Sequence, residues 1–188
     1  MQLHKLSKLA LVVSVAMGLA ACASNKKAPT AGEAPQVATT QELNNEFGFL
    51  ADSSLTTQQL LNLRVYYFEF NKTELLGTNL LAVQAHGNFL SQNKAQKVLL
   101  KGYTDIQGSR EYNIALGFRR GKSVETALMS QGAAKTQIEI VSYGPEFPAD
   151  SANTQHAYQK NRRVELLNCD GASCKSVYGQ KALKGAVK

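Results

Sequence analysis

From residue 64 onward the apolar and polar positions change period in a regular order. Val65 to Phe70, VYYFEF, is aromatic and β-prone and predicts a strand. ELLGTNLLAVQAHGNFLSQN (74–93) has helical spacing that puts Leu76, Leu80, Val83 and Leu90 near one face. Lys97 to Tyr103 alternates Val98, Leu100 and Gly102 and predicts a second strand. Arg110 to Gln131 is the longest helical pattern; Leu116, Val124, Ala127 and Leu128 form its apolar face and Gly132 its stop. Ile138 to Tyr143 reads as a strand broken by Gly144 and Pro145, a short helix falls around Gln155–Lys160, and RRVELL (162–167) is the last strand. The order βαβαβαβ predicts one α/β (α+β) sandwich of about 100 residues, enough to bury a single core.

Upstream the pattern loosens. Residues 42–63 hold Leu43, Phe47, Phe49, Leu50, Leu55, Leu60, Leu61 and Leu63, and predict a segment that packs on or leads into the domain, with a short helix in TTQQLLNLR. Residues 22–41 are small, polar and proline-containing, as in a flexible tether. Residues 1–21 differ again. Lys5 and Lys8 precede a 13-residue apolar run, LALVVSVAMGLAA, and Cys22 follows. This is the shape of an export signal, and the run falls short of the ~20 residues of a transmembrane helix. Leu19-Ala20-Ala21-Cys22 resembles a bacterial lipobox. The resemblance implies cleavage before Cys22, acylation of its thiol and, with Ala23 and not Asp next, an outer-membrane location facing the periplasm.

Charge changes the picture only after this subdivision. The chain carries a formal +7, but two lysines lie in residues 1–21 and four in residues 175–188. Residues 22–174 then hold fifteen basic and fourteen acidic side chains, so the domain has no basic excess and nucleic acid is not an expected partner. With Cys22 assigned to lipid, Cys169 and Cys174 remain as an even pair in an oxidising compartment, which predicts a local disulfide at the start of a basic tail, 169–188. His4, His86 and His156 are scattered, so neither a metal site nor another cofactor is expected. No nucleophile–base constellation is visible, which predicts a binding module and not an enzyme.

Thr104-Asp105, Gly108 and Asn113-x-x-Leu116-Gly117-x-x-Arg120, with Val124 in register, resemble the OmpA-like peptidoglycan-binding domain. YYFEFN (66–71), IEIVSYGPEFP (138–148) and NRRVEL (161–166) extend the likeness, and with the lipobox the architecture is similar to that of peptidoglycan-associated lipoproteins. The resemblance implies helices on one face of a mixed sheet, with the domain over residues 64–168. It implies non-covalent binding to the meso-diaminopimelate of the peptidoglycan stem peptide, anchoring the outer membrane to the wall. The family relation also suggests a TolB-like partner, or else a role as wall-anchoring accessory of a Dot/Icm-type IV secretion machine or a motor. Tyr103 stands where the family has histidine, Gly121 where it has alanine, and Glu69 and Asn71 where its first strand motif has aspartates.

The free end of diaminopimelate carries an ammonium and a carboxylate on one carbon, so a receptor needs an anion and a cation close together. Asp105 on the loop and Arg120 on the following helix are the expected pair, and the guanidinium fork suits a carboxylate. Asn113 and Arg120 are seven residues apart, two turns along nearly one face, with Leu116 between them as an apolar floor. Gly108 lets the loop turn or approach a ligand. Resemblance adds Thr104, Asn161 and Arg162 at the rim, with Glu69 and Asn71 as neighbours. Arg119, about 100° around the helix from Arg120, reads as a surface charge.

Overall fold

A computed structural model describes residues 40–169. The signal segment 1–21, the lipidation site Cys22, most of the tether, the tail beyond Cys169 and Cys174 lie outside the described residues. Cys169 is disulfide-bonded.

The elements are α1 Thr40–Glu46, α2 Thr57–Asn62, β1 Val65–Tyr67, α3 Gly77–Gln92, β2 Lys97–Tyr103, α4 Arg110–Ser130, a 3-10 turn Lys135–Gln137, β3 Ile138–Gly144, α5 Gln155–Asn161 and β4 Arg163–Cys169. The strands form one mixed sheet in the order β1-β4-β2-β3. β4 runs antiparallel to both β1 and β2, while β2 and β3 are parallel. This is the expected α/β architecture.

Strand alternation sends Tyr66, Val98, Leu100, Val164 and Leu166 to one face, where they meet Ala82, Val83 and Leu90 of α3 and Val124 and Leu128 of α4. Leu128 is fully buried. Truncating such a leucine to alanine costs ~2–5 kcal/mol, so the α4 stripe fixes the helix on the sheet. At one crossing the fit is closer than side chains allow. A Cβ on Gly102 of β2 would lie 2.1 Å from the Gly117 carbonyl of α4. The glycine pair lets the helix lie directly on the strand and sets the height of the face that carries Asn113, Leu116 and Arg120.

α4 starts at the Ser109 cap, whose Oγ accepts from Tyr112 N at 3.2 Å, and ends before Gly132, which has φ +92°. β1 is shorter than expected. The predicted strand runs to Phe70, but the ladder stops at Tyr67. Beyond it, side chains take the main-chain acceptors: Gln159 Nε2 donates to the Phe68 carbonyl at 2.9 Å and Arg120 Nη2 to that of Glu69 at 3.1 Å. Once those carbonyls are satisfied the chain leaves the sheet, with Asn71 in the left-handed region at φ 55°.

The predicted tether and its neighbour differ in one respect: α1 begins at Thr40. None of its residues is buried, and the anchor is the next one, Phe47. Its ring meets Tyr67 edge-on at 4.9 Å and His156 of α5 at 5.6 Å, and its carbonyl accepts from Asn79 Nδ2 at 2.7 Å. The segment therefore packs on the domain through the Phe47 ring and through main-chain carbonyls, those of Phe47 and Gly48 accepting from Asn79 and that of Leu50 from Thr78.

Candidate functional site

β2 delivers Thr104 and Asp105 to the start of a loop that turns back into α4. Thr104 N donates to the Gly144 carbonyl at 2.9 Å, which fixes the loop to the end of β3. Asp105 Oδ1 accepts from Gln107 N at 3.0 Å, an Asx turn. Gly108 has φ +101°, a conformation that side-chain-bearing residues avoid. The Gln107 carbonyl accepts from Asn113 Nδ2 at 3.1 Å, which ties the loop to the first turn of α4.

These residues open a cavity of about 240 Å³ lined by Phe70, Asn71, Thr104, Asp105, Gln107, Gly108, Tyr112, Asn113, Leu116, Arg120 and Arg162. Asp105, Gly108, Asn113, Leu116 and Arg120 of the motif thus come together, and with them Thr104 and Arg162, which the resemblance alone had added. Asn161 does not join them. Its Oδ1 accepts from Ala149 N at 2.7 Å and Asp150 N at 3.0 Å, and its Nδ2 donates to the Asp150 carbonyl at 2.7 Å. All of its capacity in these bonds goes to holding the loop before α5. Glu69 contributes its carbonyl and not its exposed side chain, whereas Asn71 lines the cavity.

The two arginines divide the work differently from the expected Asp105–Arg120 pair. Arg162, predicted at the rim, is buried, and its Nη1 meets Asp105 Oδ2 at 2.9 Å. Its Nε donates to the Phe68 carbonyl at 3.3 Å and its Nη2 to Gln159 Oε1. Arg120 is buried, lines the cavity and reaches three main-chain carbonyls: Lys72 from Nε at 2.9 Å, Tyr103 from Nη1 at 3.2 Å and Glu69 from Nη2 at 3.1 Å. Its guanidinium also lies 5.3 Å from the Phe68 ring centroid. A guanidinium has five N–H donors, so these three bonds leave two. Burial first, and the Arg162 charge second, pull the Arg120 pKa down to about 10, with Asp105 opposing. The group remains a cation at neutral pH.

Two arginines and one aspartate give the cavity a net positive charge. It also contains an acceptor in need of a donor: Asn113 is buried and its Oδ1 has no partner among the described residues. Donors for an anion, acceptors for a cation and an apolar floor at Leu116 occur within one small volume. Sequence reasoning missed Phe70, Gln107 and Tyr112. An aspartate followed three residues later by glycine is the signal for the Asx turn that engages Gln107. Tyr112 immediately precedes Asn113 in the first helical turn, and its hydroxyl donates to Asn71 Oδ1 at the mouth. Arg119 is exposed and stacks on Tyr112 at 5.7 Å.

A family model described as the OmpA family matches residues 67–162, which include every residue of the cavity. The peptidoglycan-associated lipoprotein of Pseudomonas putida is 37% identical over 163 residues, covering 86% of this chain and 95% of that protein. The protein of that name from Pasteurella multocida is 36% identical over 164 residues, covering 87% and 99%. Among solved structures, the peptidoglycan-associated lipoprotein from Burkholderia pseudomallei superposes with TM-score 0.58 at 30% identity, covering 63% of this chain and all of that one. The C-terminal domain of Helicobacter pylori MotB, at TM-score 0.53 and 21% identity over 58% of this chain and 87% of its own, shares the fold.

Proposed function

The chain belongs to the OmpA family, and from that premise we propose that it binds peptidoglycan non-covalently and anchors the outer membrane to the wall. The ligand is the free end of meso-diaminopimelate, held in the cavity between the Asp105 loop, α4 and Arg162. One observation supports this reading above the others: an aspartate, two buried arginines and a partnerless amide oxygen converge on one cavity. The ligand carboxylate takes the guanidinium hydrogens of Arg120 that no carbonyl occupies. The ligand ammonium takes the remaining lone pairs of Asp105 and the Asn113 Oδ1. Leu116 and Phe70 lie against the methylene chain. Each charged group then meets an opposite one, which offsets its desolvation.

Attachment to the bilayer is assigned to lipid on Cys22, ahead of the described residues. If extended, the roughly nineteen residues of the tether reach ~60 Å. The reading involves binding without chemistry. Sedimentation with purified sacculi tests it, using Asp105→Asn, which keeps the side-chain shape, and Arg162→Gln, which removes the guanidinium, each at a temperature where the variant is folded. The wild type co-sediments, and free meso-diaminopimelate competes where cadaverine, the same chain without carboxylates, does not. Both variants bind at least tenfold more weakly. Undiminished binding by both would remove the cavity from the mechanism, and release of soluble muropeptides would make the protein an enzyme.

A further inference from the structure

Tyr103, the last residue of β2, touches the site from behind. Its carbonyl receives Arg120 Nη1 at 3.2 Å. Its ring lies on the sheet face away from α4, because its neighbour Gly102 faces Gly117. There the Arg163 guanidinium lies 3.9 Å from the ring centroid. Arg163 Nε donates to Glu165 Oε1 at 2.8 Å, and the Tyr103 hydroxyl donates to Glu165 Oε2 at 3.4 Å. Tyr143 stacks on Tyr103 at 5.5 Å with an interplanar angle of 18°. Tyr103 and Arg163 are both buried. This cluster has no part in the ligand contacts proposed above.

Its position along the sheet explains its use. The main-chain pairing of β2 with β4 extends to Gly102↔Val164, and the pairing of β2 with β3 slips between Gly102 and Tyr103. Past that point the two segments are bridged by side chains on both sides of the sheet. Asp105–Arg162 spans them on the cavity side and Tyr103–Arg163 on the far side. Arg162 and Arg163 are adjacent, so holding one sets the backbone from which the other departs. We infer that the Tyr103–Arg163 stack is a positioning device: it fixes the start of β4 so that Arg162 meets Asp105. What the cavity holds rests on the peptidoglycan reading; the geometry of the device does not.

The test compares Tyr103→Phe, which keeps the ring, with Tyr103→Leu, which removes it. Two readouts are used: affinity for a muropeptide containing meso-diaminopimelate, and the ¹⁵N resonances of the Arg162 guanidinium in free protein. Tyr103→Phe binds within twofold of wild type, with the Arg162 resonances unmoved. Tyr103→Leu keeps a folded amide spectrum, binds about tenfold more weakly, and its Arg162 resonances shift and broaden towards rapid exchange. Should Tyr103→Leu not fold, Arg163→Gln carries the same expectation. Unmoved Arg162 resonances in the folded ring-deleted variant, or in Arg163→Gln, overturn the inference. Failure of the wild type to bind the muropeptide overturns the peptidoglycan reading instead and leaves the resonance test decisive.

Discussion

Arg120→Lys separates the charge of the site from its geometry. Arg120 serves three carbonyls from three different nitrogens, and those carbonyls belong to Glu69, Lys72 and Tyr103. Lysine keeps the positive charge but offers one nitrogen on a shorter arm, so it satisfies about one of the three. The Glu69 carbonyl keeps the Lys72 N–H at 3.1 Å and the Tyr103 bond is the buried one of the three, so the loss is that of about one buried acceptor, ~1–3 kcal/mol. Domains of this size have ~5–15 kcal/mol to lose, so the variant still folds, with a urea midpoint lowered by roughly 0.5–1.5 M. Equilibrium urea denaturation measures the loss, and sacculus binding at a temperature where the variant is folded measures its effect on the site. Binding also falls, because the freed 69–72 turn carries Asn71 at the mouth. A stability loss below about 0.5 kcal/mol, the level of an ordinary surface substitution, would refute the carbonyl cage.

Other expectations follow from the packing. Gly102→Ala puts a methyl 2.1 Å from the Gly117 carbonyl, a backbone atom that cannot rotate away. It costs ~1–3 kcal/mol by denaturation and weakens wall binding by lifting α4; wild-type stability would show that helix and strand are not in contact there. Phe47→Ala costs ~3–5 kcal/mol. Glu46→Gln, which alters the exposed contact to His156 (2.9 Å), costs under ~1 kcal/mol; equal losses would contradict Phe47 as the main anchor of α1. Burial holds the His86 pKa below its ordinary value, with the Leu63 carbonyl opposing and Arg64 reinforcing. The unfolded chain therefore takes up its proton first, and stability falls as pH drops below ~6.5, by up to ~1.4 kcal/mol per unit, until the folded value is passed. His86→Gln, which keeps a donor for Leu63, flattens that slope in denaturation series between pH 7.5 and 5; an unchanged slope assigns it elsewhere.

The helices and central strands were legible because their signals are local. α4 has a serine cap, apolar residues at helical spacing and a glycine stop, and β2 and β3 are short β-prone apolar runs. The end of β1 was not legible, because the groups that draw it from the sheet lie far along the chain. Arg120 is 51 residues from Glu69, and Gln159 is 91 residues from Phe68. No periodicity within 65–70 encodes them. α1 was missed for a different reason: a helix with no buried residue leaves no apolar stripe to read. The site loop was legible as a motif, but its ion pairing was not. Sequence spacing puts Arg120 beside Asp105 and says nothing of Arg162, which arrives from the α5–β4 junction 57 residues on.

Burial also divides the cavity into residues that can change and residues that cannot. Arg120, Arg162 and Asp105 hold the 68–72 turn, the end of β2 and the α5–β4 junction to one another, so altering any of them alters the fold at the same time as the ligand contacts. Phe70 and Tyr112 at the mouth are 59% and 44% exposed, and Asn71 is exposed as well. Substituting them leaves no buried polar group without a partner. The cationic interior is therefore fixed by the requirements of folding, whatever the ligand. Discrimination among ligands that all present a carboxylate falls to the exposed rim, where the Tyr112–Asn71 bridge crosses the mouth.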